Sequence, residues 1–266
     1  MSKDFHKQFD NLLNMIKSGT NFAFSRFSDG ELFIMQNKVL VLAKDHYVTG
    51  DVKGRNVYTE EEQKEFNPEK HQVYREKLIE CFKHCQDNYY KGICTATDAH
   101  VGRESFEYQI ELHGGDHKSL TFSNLLINAN YHRFIEEMVP LFVDRDIIYV
   151  VNKLSNTSRL PFDVKKTFEI GSNCMINDYN VTEEIKNYII ENDIENHIIL
   201  CSAASLSNFI IYECFKDNPN NTFLDIGSCL NPLLELEGWR HTRGYLTHYW
   251  LNSGSPFGTQ VDVWQI

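Results

Sequence analysis

Apolar residues recur along this chain in two rhythms, one helical and one extended. Phe5, Phe9, Leu12, Leu13 and Ile16 keep helical spacing over residues 4–17, and Ser18-Gly19 stops the pattern. Residues 21–27 then read as a first core strand. A helix opening near Asp29 carries Leu32, Phe33 and Met35. Residues 44–67 are polar without clean periodicity, which predicts a long surface loop. A long helix over 69–90 is expected next, with Val73, Leu78, Cys81, Phe82 and Cys85 on its apolar face, and then a short strand at 93–96. Further helices are predicted at 123–138, 181–193 and 205–215. Further strands are predicted at 146–151, 167–170, 197–202 and 222–226. Strands alternating with helices imply right-handed crossovers and an α/β fold with a largely parallel sheet flanked by helices. One domain is expected over 1–237. Residues 238–266, rich in aromatics, His and Gly, read as a C-terminal extension packing on or near the site.

The bulk numbers narrow this picture. The 266 residues suit one large α/β domain, and 42% hydrophobic residues are ample for its core. A net charge of −11 argues against nucleic acid as the primary partner, because phosphate backbones need basic surface. It leaves room for a small nucleotide held by a metal and a few local cations. The seven cysteines are scattered and odd in number, the first residues are polar and charged, and no apolar run is long enough to span a bilayer. The expectation is a cytoplasmic protein with free thiols and no membrane span. A homodimer stays open.

Chemistry concentrates first in Arg26-Phe27-Ser28-Asp29-Gly30-Glu31. A strand end needs a turn, and Asp29-Gly30 supplies one. The second acid, with Arg26 three residues before Asp29, makes a charged cluster where an α/β sheet opens into its ligand crevice. Asp29 and Glu31 are hard oxygen ligands two apart, suited to Mn²⁺ or Mg²⁺ touching a phosphate, and Arg26 offers a fixed positive charge. Equally, both acids fit the first turn of a helix, where its dipole favours them. The local pattern leaves both readings open.

Later segments add to it. In residues 198–205 a buried strand runs into Ser202, Ala203 and Ser205 before a helix, a build that turns backbone N–H groups toward an anion but serves close packing as well. Phe223-Leu-Asp225-Ile-Gly227 looks like the first motif of methyl-donor methyltransferases. Only Ser228 to Ile266 remain after it, too little chain for that fold, so it reads as the last strand with Asp225 near the crevice. In residues 98–104, Asp98, His100 and Glu104 are candidate general bases and Arg103 a phosphate clamp, against the plainer reading of a solvated loop entering a helix. In residues 123–131, Asn124, Asn128 and Asn130 with Tyr131 could read sugar hydroxyls or a base, or simply cap a helix. Cys81-x-x-x-Cys85 lies on a helix that buries its thiols, and His113 and His117 flank a Gly-Gly turn, so structural zinc is not expected.

In order and in motif these segments resemble the GT-D-type glycosyltransferases, whose hallmark is Arg-Phe-Gly-Asp-Gly-Glu after the first strand. The resemblance covers roughly residues 20–237. It implies a Rossmann-like sheet and transfer of a sugar from a nucleotide diphosphate sugar, usually a UDP-sugar, to a glycan or glycoprotein acceptor, with manganese or magnesium. Asp29 and Glu31 take the metal role of its D-x-E motif. Arg26, Phe27, Ser28 and the Ser202–Ser205 turn would lie against the nucleotide or diphosphate. Ser28 replaces the family's glycine, and Ser228 stands where the family pattern continues with histidine, so such a histidine would have to be His241 or His248. A metal-dependent phosphohydrolase or nucleotidyltransferase could use the same acids, and a non-catalytic nucleotide-sugar binding module would need them only as helix caps.

Overall fold

The computed structural model describes residues 4–55, 58–95 and 102–236. Its first half runs α1 (Phe5–Ser18), β1 (Ala23–Phe27), α2 (Asp29–Met35), β2 (Leu40–Leu42), β3 (Tyr47–Thr49), β4 (Val52–Gly54), β5 (Lys64–Phe66), α3 (Gln72–Lys83), β6 (Tyr89–Ile93), α4 (Gly102–His113) and β7 (Leu120–Phe122). The second half runs α5 (Tyr131–Arg133), β8 (Ile147–Asn152), β9 (Lys166–Ile170), α6 (Cys174–Asn177), α7 (Val181–Glu191), β10 (Ile198–Cys201), α8 (Ser205–Asp217) and β11 (Thr222–Asp225).

Seven strands form one sheet in the order β7-β6-β1-β11-β10-β8-β9, and every neighbouring pair is parallel. The fold is therefore α/β and Rossmann-like, as the alternation of elements predicts. From β1 the chain builds outward through β6 and β7, then crosses to β8 and β9 and returns through β10 and β11. β1 and β11 thus meet where the winding reverses, the place at which open α/β sheets hold ligands.

The pleat divides the core in two. Ala23, Phe27, Ile148, Val150, Ile199 and Phe223 face one side, with residues of α3, α7 and α8. Phe24, Ile147, Tyr149, Val151, Leu200 and Leu224 face the other, with α1 and the helical run after β7. Helix α1 buries the five apolar residues of its repeat. Gly19 ends it as the sequence leads one to expect, at φ 71°, and at its start the Asp4 carboxylate accepts from His6 N and Lys7 N.

Three expectations are corrected. The loop expected over 44–67 contains most of a second, antiparallel sheet in the order β4-β3-β2-β5. Its strands have three residues each and β4 is largely exposed, so no alternating apolar pattern marks them. The helix expected over 69–90 stops at Lys83, and Asn88 turns the chain at φ 60° into β6. Lys91 disguised that strand. It is fully buried, and its ammonium donates to Phe82 O (2.7 Å) and His84 O (2.8 Å), closing the last carbonyls of α3. The helix expected over 123–138 is broken into π-helical stretches, Leu125–Ala129 and Phe134–Met138, on either side of α5. Strand β7 has no counterpart in the sequence reading. The extension over 238–266, with His241 and His248, lies outside the described residues.

Candidate active site

A cleft of about 440 Å³ opens at the carboxyl edge of the large sheet. Every strand of that sheet delivers residues to it: Ser28 after β1, Cys94 after β6, Ser123 after β7, Val151 and Asn152 at the end of β8, Gly171 after β9, Ser202 after β10 and Gly227 after β11. The small sheet roofs the cleft through Leu40 and the segment from Glu62 to Glu65. That roof is stapled to the β9–α6 connection, where Asn173 N donates to Gln63 O (3.0 Å) and Glu65 N donates to Asn173 Oδ1 (3.0 Å).

The segment from Arg26 to Glu31 forms the floor. Glu31 is the third residue of α2, and its Oε2 accepts from Ser28 N at 3.0 Å, the backward half of a capping box. Its Oε1 accepts from the Ser205 hydroxyl at 2.6 Å, and the residue is buried. The two readings of this acid therefore coexist: Glu31 caps its helix and faces the cleft. Each carboxylate oxygen carries two lone pairs, so Oε1 keeps one beside Ser205. Asp29 is half-buried, with Oδ1 accepting from Gly30 N at 2.9 Å and no partner on Oδ2 among the described residues. Its carboxylate is the more available of the two.

Arg26 is locked in place. Nε donates to Ser123 O (2.5 Å), Nη2 donates to Ser28 Oγ (3.2 Å), and Nη1 lies 3.7 Å from Asp225 Oδ1. Asp225 also accepts from Arg26 N (3.2 Å) and Gly227 N (3.0 Å). Burial lifts the Asp225 carboxyl to about 6, against the pull of Arg26 and with a further push from Glu31. Gly227 is required twice over: its φ is +52°, and a Cβ there would collide with Arg26 Nη1.

Helix α8 begins at the cleft. Ala204, its N-cap, holds φ 45° and ψ −137°, a backbone region that L residues rarely enter. This sharp turn brings Ala203, Ala204 and Ser205 to the cleft wall, with the positive end of the α8 dipole. Ser202 lines the wall too, its hydroxyl 2.9 Å from the Tyr149 phenol. Deeper in, Asn208 Nδ2 donates to Ser25 Oγ (2.9 Å) and Arg26 O (2.8 Å), tying α8 to the strand that carries the floor.

Of the predicted site residues, Arg26, Ser28, Asp29, Glu31, Ser202, Ala203, Ser205 and Asp225 meet in this cleft, as does Ser228. Others do not. Phe27 turns into the core against Phe82, with ring centroids 4.8 Å apart. Asn130 is fully buried, and its amide serves the broken helical run, donating to Leu125 O and Phe5 O and meeting His6 Nδ1 at 2.9 Å. Arg103 and Glu104 are exposed on α4 outside the cleft, Arg103 within 3.8 Å of Glu107. Asp98 and His100 lie outside the described residues. Sequence reasoning missed Glu62, Lys64, Asn152 and Asn173, which the fold brings to the cleft, whereas Asn124, also there, is among the asparagines the sequence offered. Only Glu62 carried a signal: Thr59 with an acid three residues later is a capping box.

In structure the chain is similar to a glycosyltransferase (DUF1792) from Streptococcus sanguinis, at a TM-score of 0.54 and 15% identity, over 83% of this chain and 80% of that one. A second similar structure, of the highly conserved domain of unknown function 1792 and described as a distinct glycosyltransferase fold, gives 0.51 and 14% over 81% and 75%. The chain has this fold. No family model and no curated protein matches its sequence. The DUF1792 fold and the cleft are thus known independently, one by likeness and one by the convergence of side chains at the sheet edge. Among the described residues no helix is long and apolar enough to cross a membrane.

Proposed function

We propose that this protein is a metal-dependent glycosyltransferase of the GT-D type, moving a sugar from a nucleotide diphosphate sugar to a glycan or glycoprotein acceptor. The carrying observation is the pairing, across one cleft, of Asp29 and Glu31 with the N-terminus of α8. Five carboxylates and two cations line that cleft, so a diphosphate entering alone would meet net negative charge. A divalent cation resolves the conflict. Asp29 and Glu31 offer hard carboxylate oxygens, a donor set that suits an ion completed by phosphate oxygens and water.

Asp29 through Oδ2, and Glu31 through the remaining lone pair of Oε1, would hold Mn²⁺ or Mg²⁺. The ion supplies neutralisation of the charge that builds on the departing diphosphate. The N-terminal end of α8, through Ala204 N and Ser205 N, and the hydroxyl of Ser202 would bind phosphate oxygens, while the Ser205 hydroxyl stays on Glu31. Arg26, fixed by three partners, contributes its charge without reorganising. Likeness to the GT-D family makes UDP the leading choice of nucleotide.

The test is turnover. The protein is incubated with a panel of nucleotide sugars and Mn²⁺ while nucleoside diphosphate is followed. The expected result is slow donor hydrolysis to nucleoside diphosphate that falls at least about 100-fold in Asp29→Ala. Cleavage between the two phosphates would instead indicate a hydrolase, and binding without turnover a binding module.

A further inference from the structure

We infer that Glu62, on the roof of the cleft, is the carboxylate that accepts the proton of the attacking acceptor hydroxyl. This inference rests on the transferase reading above. Glu62 is 6% exposed and lines the cleft, yet only one of its oxygens is used: Oε2 accepts from Thr59 N at 3.0 Å, closing a capping box. Oε1 is closed to solvent as the side chain stands and has no hydrogen-bond partner among the described residues, so an acceptor hydroxyl reaches it by displacing the side chains that cover it. An unpaired buried carboxylate oxygen is costly, and in a protein it marks a place where something else completes the contact.

The same arrangement occurs twice in this site. Glu31 on the floor and Glu62 on the roof each hold the third position of a capping box, and each commits Oε2 to its own cap. On the floor Oε1 meets the Ser205 hydroxyl, whereas on the roof the equivalent oxygen has no hydrogen-bond partner among the described residues. Glu62 does not join Asp29 and Glu31 as a metal ligand, since no three such groups converge among the described residues. It is also well positioned: the Thr59 cap fixes one side and the Asn173 bond to Gln63 fixes the next residue. A rigid, water-shielded carboxylate apart from the metal-binding acids suits the acceptor side of the reaction, not the donor side. Of the candidate bases from the sequence, Glu104 is exposed outside the cleft, and Asp98 and His100 lie outside the described residues.

The step balances without a further reagent. The acceptor oxygen forms a bond to the anomeric carbon, and its proton passes to Glu62 Oε1. The bond from anomeric carbon to diphosphate oxygen breaks, and its electron pair leaves with the nucleoside diphosphate. Water in place of the acceptor hydroxyl gives the slow hydrolysis.

The test uses the full chain with Mn²⁺ and the nucleotide sugar that the wild type hydrolyses, with and without simple p-nitrophenyl glycosides as acceptors. Glu62→Gln keeps an oxygen for the Thr59 cap, so its melting temperature should stay near that of the wild type. Its rate of nucleoside diphosphate release should fall about 100-fold or more, while UDP affinity in Mn²⁺ stays within about twofold. Glu62→Ala should regain at least about tenfold in rate when sodium formate replaces the missing carboxylate. A Glu62→Gln rate within about threefold of wild type, or a UDP affinity that falls in step with the rate, would overturn the assignment. In those cases release that still depends on Asp29 leaves the transferase reading standing. A wild type that releases no nucleoside diphosphate from any donor overturns that reading, and the role of Glu62 with it.

Discussion

Asp29 and Glu31 are two residues apart, yet the structure gives them different mixtures of duty. Glu31 holds Ser28 N and the Ser205 hydroxyl, whereas Asp29, among the described residues, holds only the amide of its neighbour. Asp29→Ala should therefore leave the melting temperature nearly unchanged while removing metal-dependent nucleotide binding. Glu31→Ala should also strand a buried donor on each side, at a cost of about 1–3 kcal/mol. In a chain of this size that is a fall of several degrees, about 2–4 °C per kcal/mol. Thermal melts of the two variants check the contrast, and equal melting temperatures would remove the capping role. Gly227 offers a second residue-scale test. A methyl group there collides with the Arg26 guanidinium and meets a left-handed backbone. Gly227→Ala should lose about 1–3 kcal/mol in a urea titration and loosen the floor. The floor was legible in the sequence because charge and glycine at a strand end are local signals. Glu62 was less so, since an acid in a polar run says nothing about the strand edge that will face it.

At the level of elements, the parallel strands β8, β10 and β11 were readable because both faces are buried and the runs are continuously apolar. Strand β6 was not, because Lys91 and Gly92 interrupt it for tertiary reasons. The lysine closes α3, and a Cβ at Gly92 would lie 2.9 Å from Phe122 O. The roof was hidden by the shortness of its strands, which carry too few residues for any period to show. Its attachment is testable. Asn173 stands at φ 52°, a conformation asparagine tolerates better than most residues, and holds both Gln63 and Glu65. Asn173→Ala should lose a hydrogen bond and add strain, together about 1–3 kcal/mol confined to this element. Hydrogen exchange should then show faster exchange across Lys64–Phe66 and unchanged protection in β10. Equal protection in both would mean that the roof is held elsewhere.

For the molecule as a whole, the carboxyl edge of a seven-stranded sheet gathers acids that the fold must hold together before any ligand arrives. Asp225 reports that cost. Its carboxyl titrates near 6 when folded, against about 3.9 in an unfolded chain. Between those values the folded protein keeps a proton that the unfolded chain has released. The Asp225 contribution to stability is therefore complete below pH about 4 and is lost as pH rises through 6. In metal-free buffer the stability of the wild type relative to Asp225→Asn should fall by about 2 kcal/mol from pH 4 to 7, as read by urea titration. A difference independent of pH would place that carboxyl in an ordinary environment. In the proposed reading, metal and nucleotide would relieve the crowding of charge from the other side, and this is the point on which the proposed chemistry turns. The most direct measurement is a calorimetric titration of UDP into the wild type and Asp29→Ala, each in Mn²⁺ and in EDTA. UDP should bind the wild type in Mn²⁺ at least about tenfold more tightly than in EDTA, a difference of about 1.4 kcal/mol or more, and Asp29→Ala should lose that advantage. Equal affinity in Mn²⁺ and EDTA, or an advantage that survives in Asp29→Ala, would contradict the assignment of these acids to the metal.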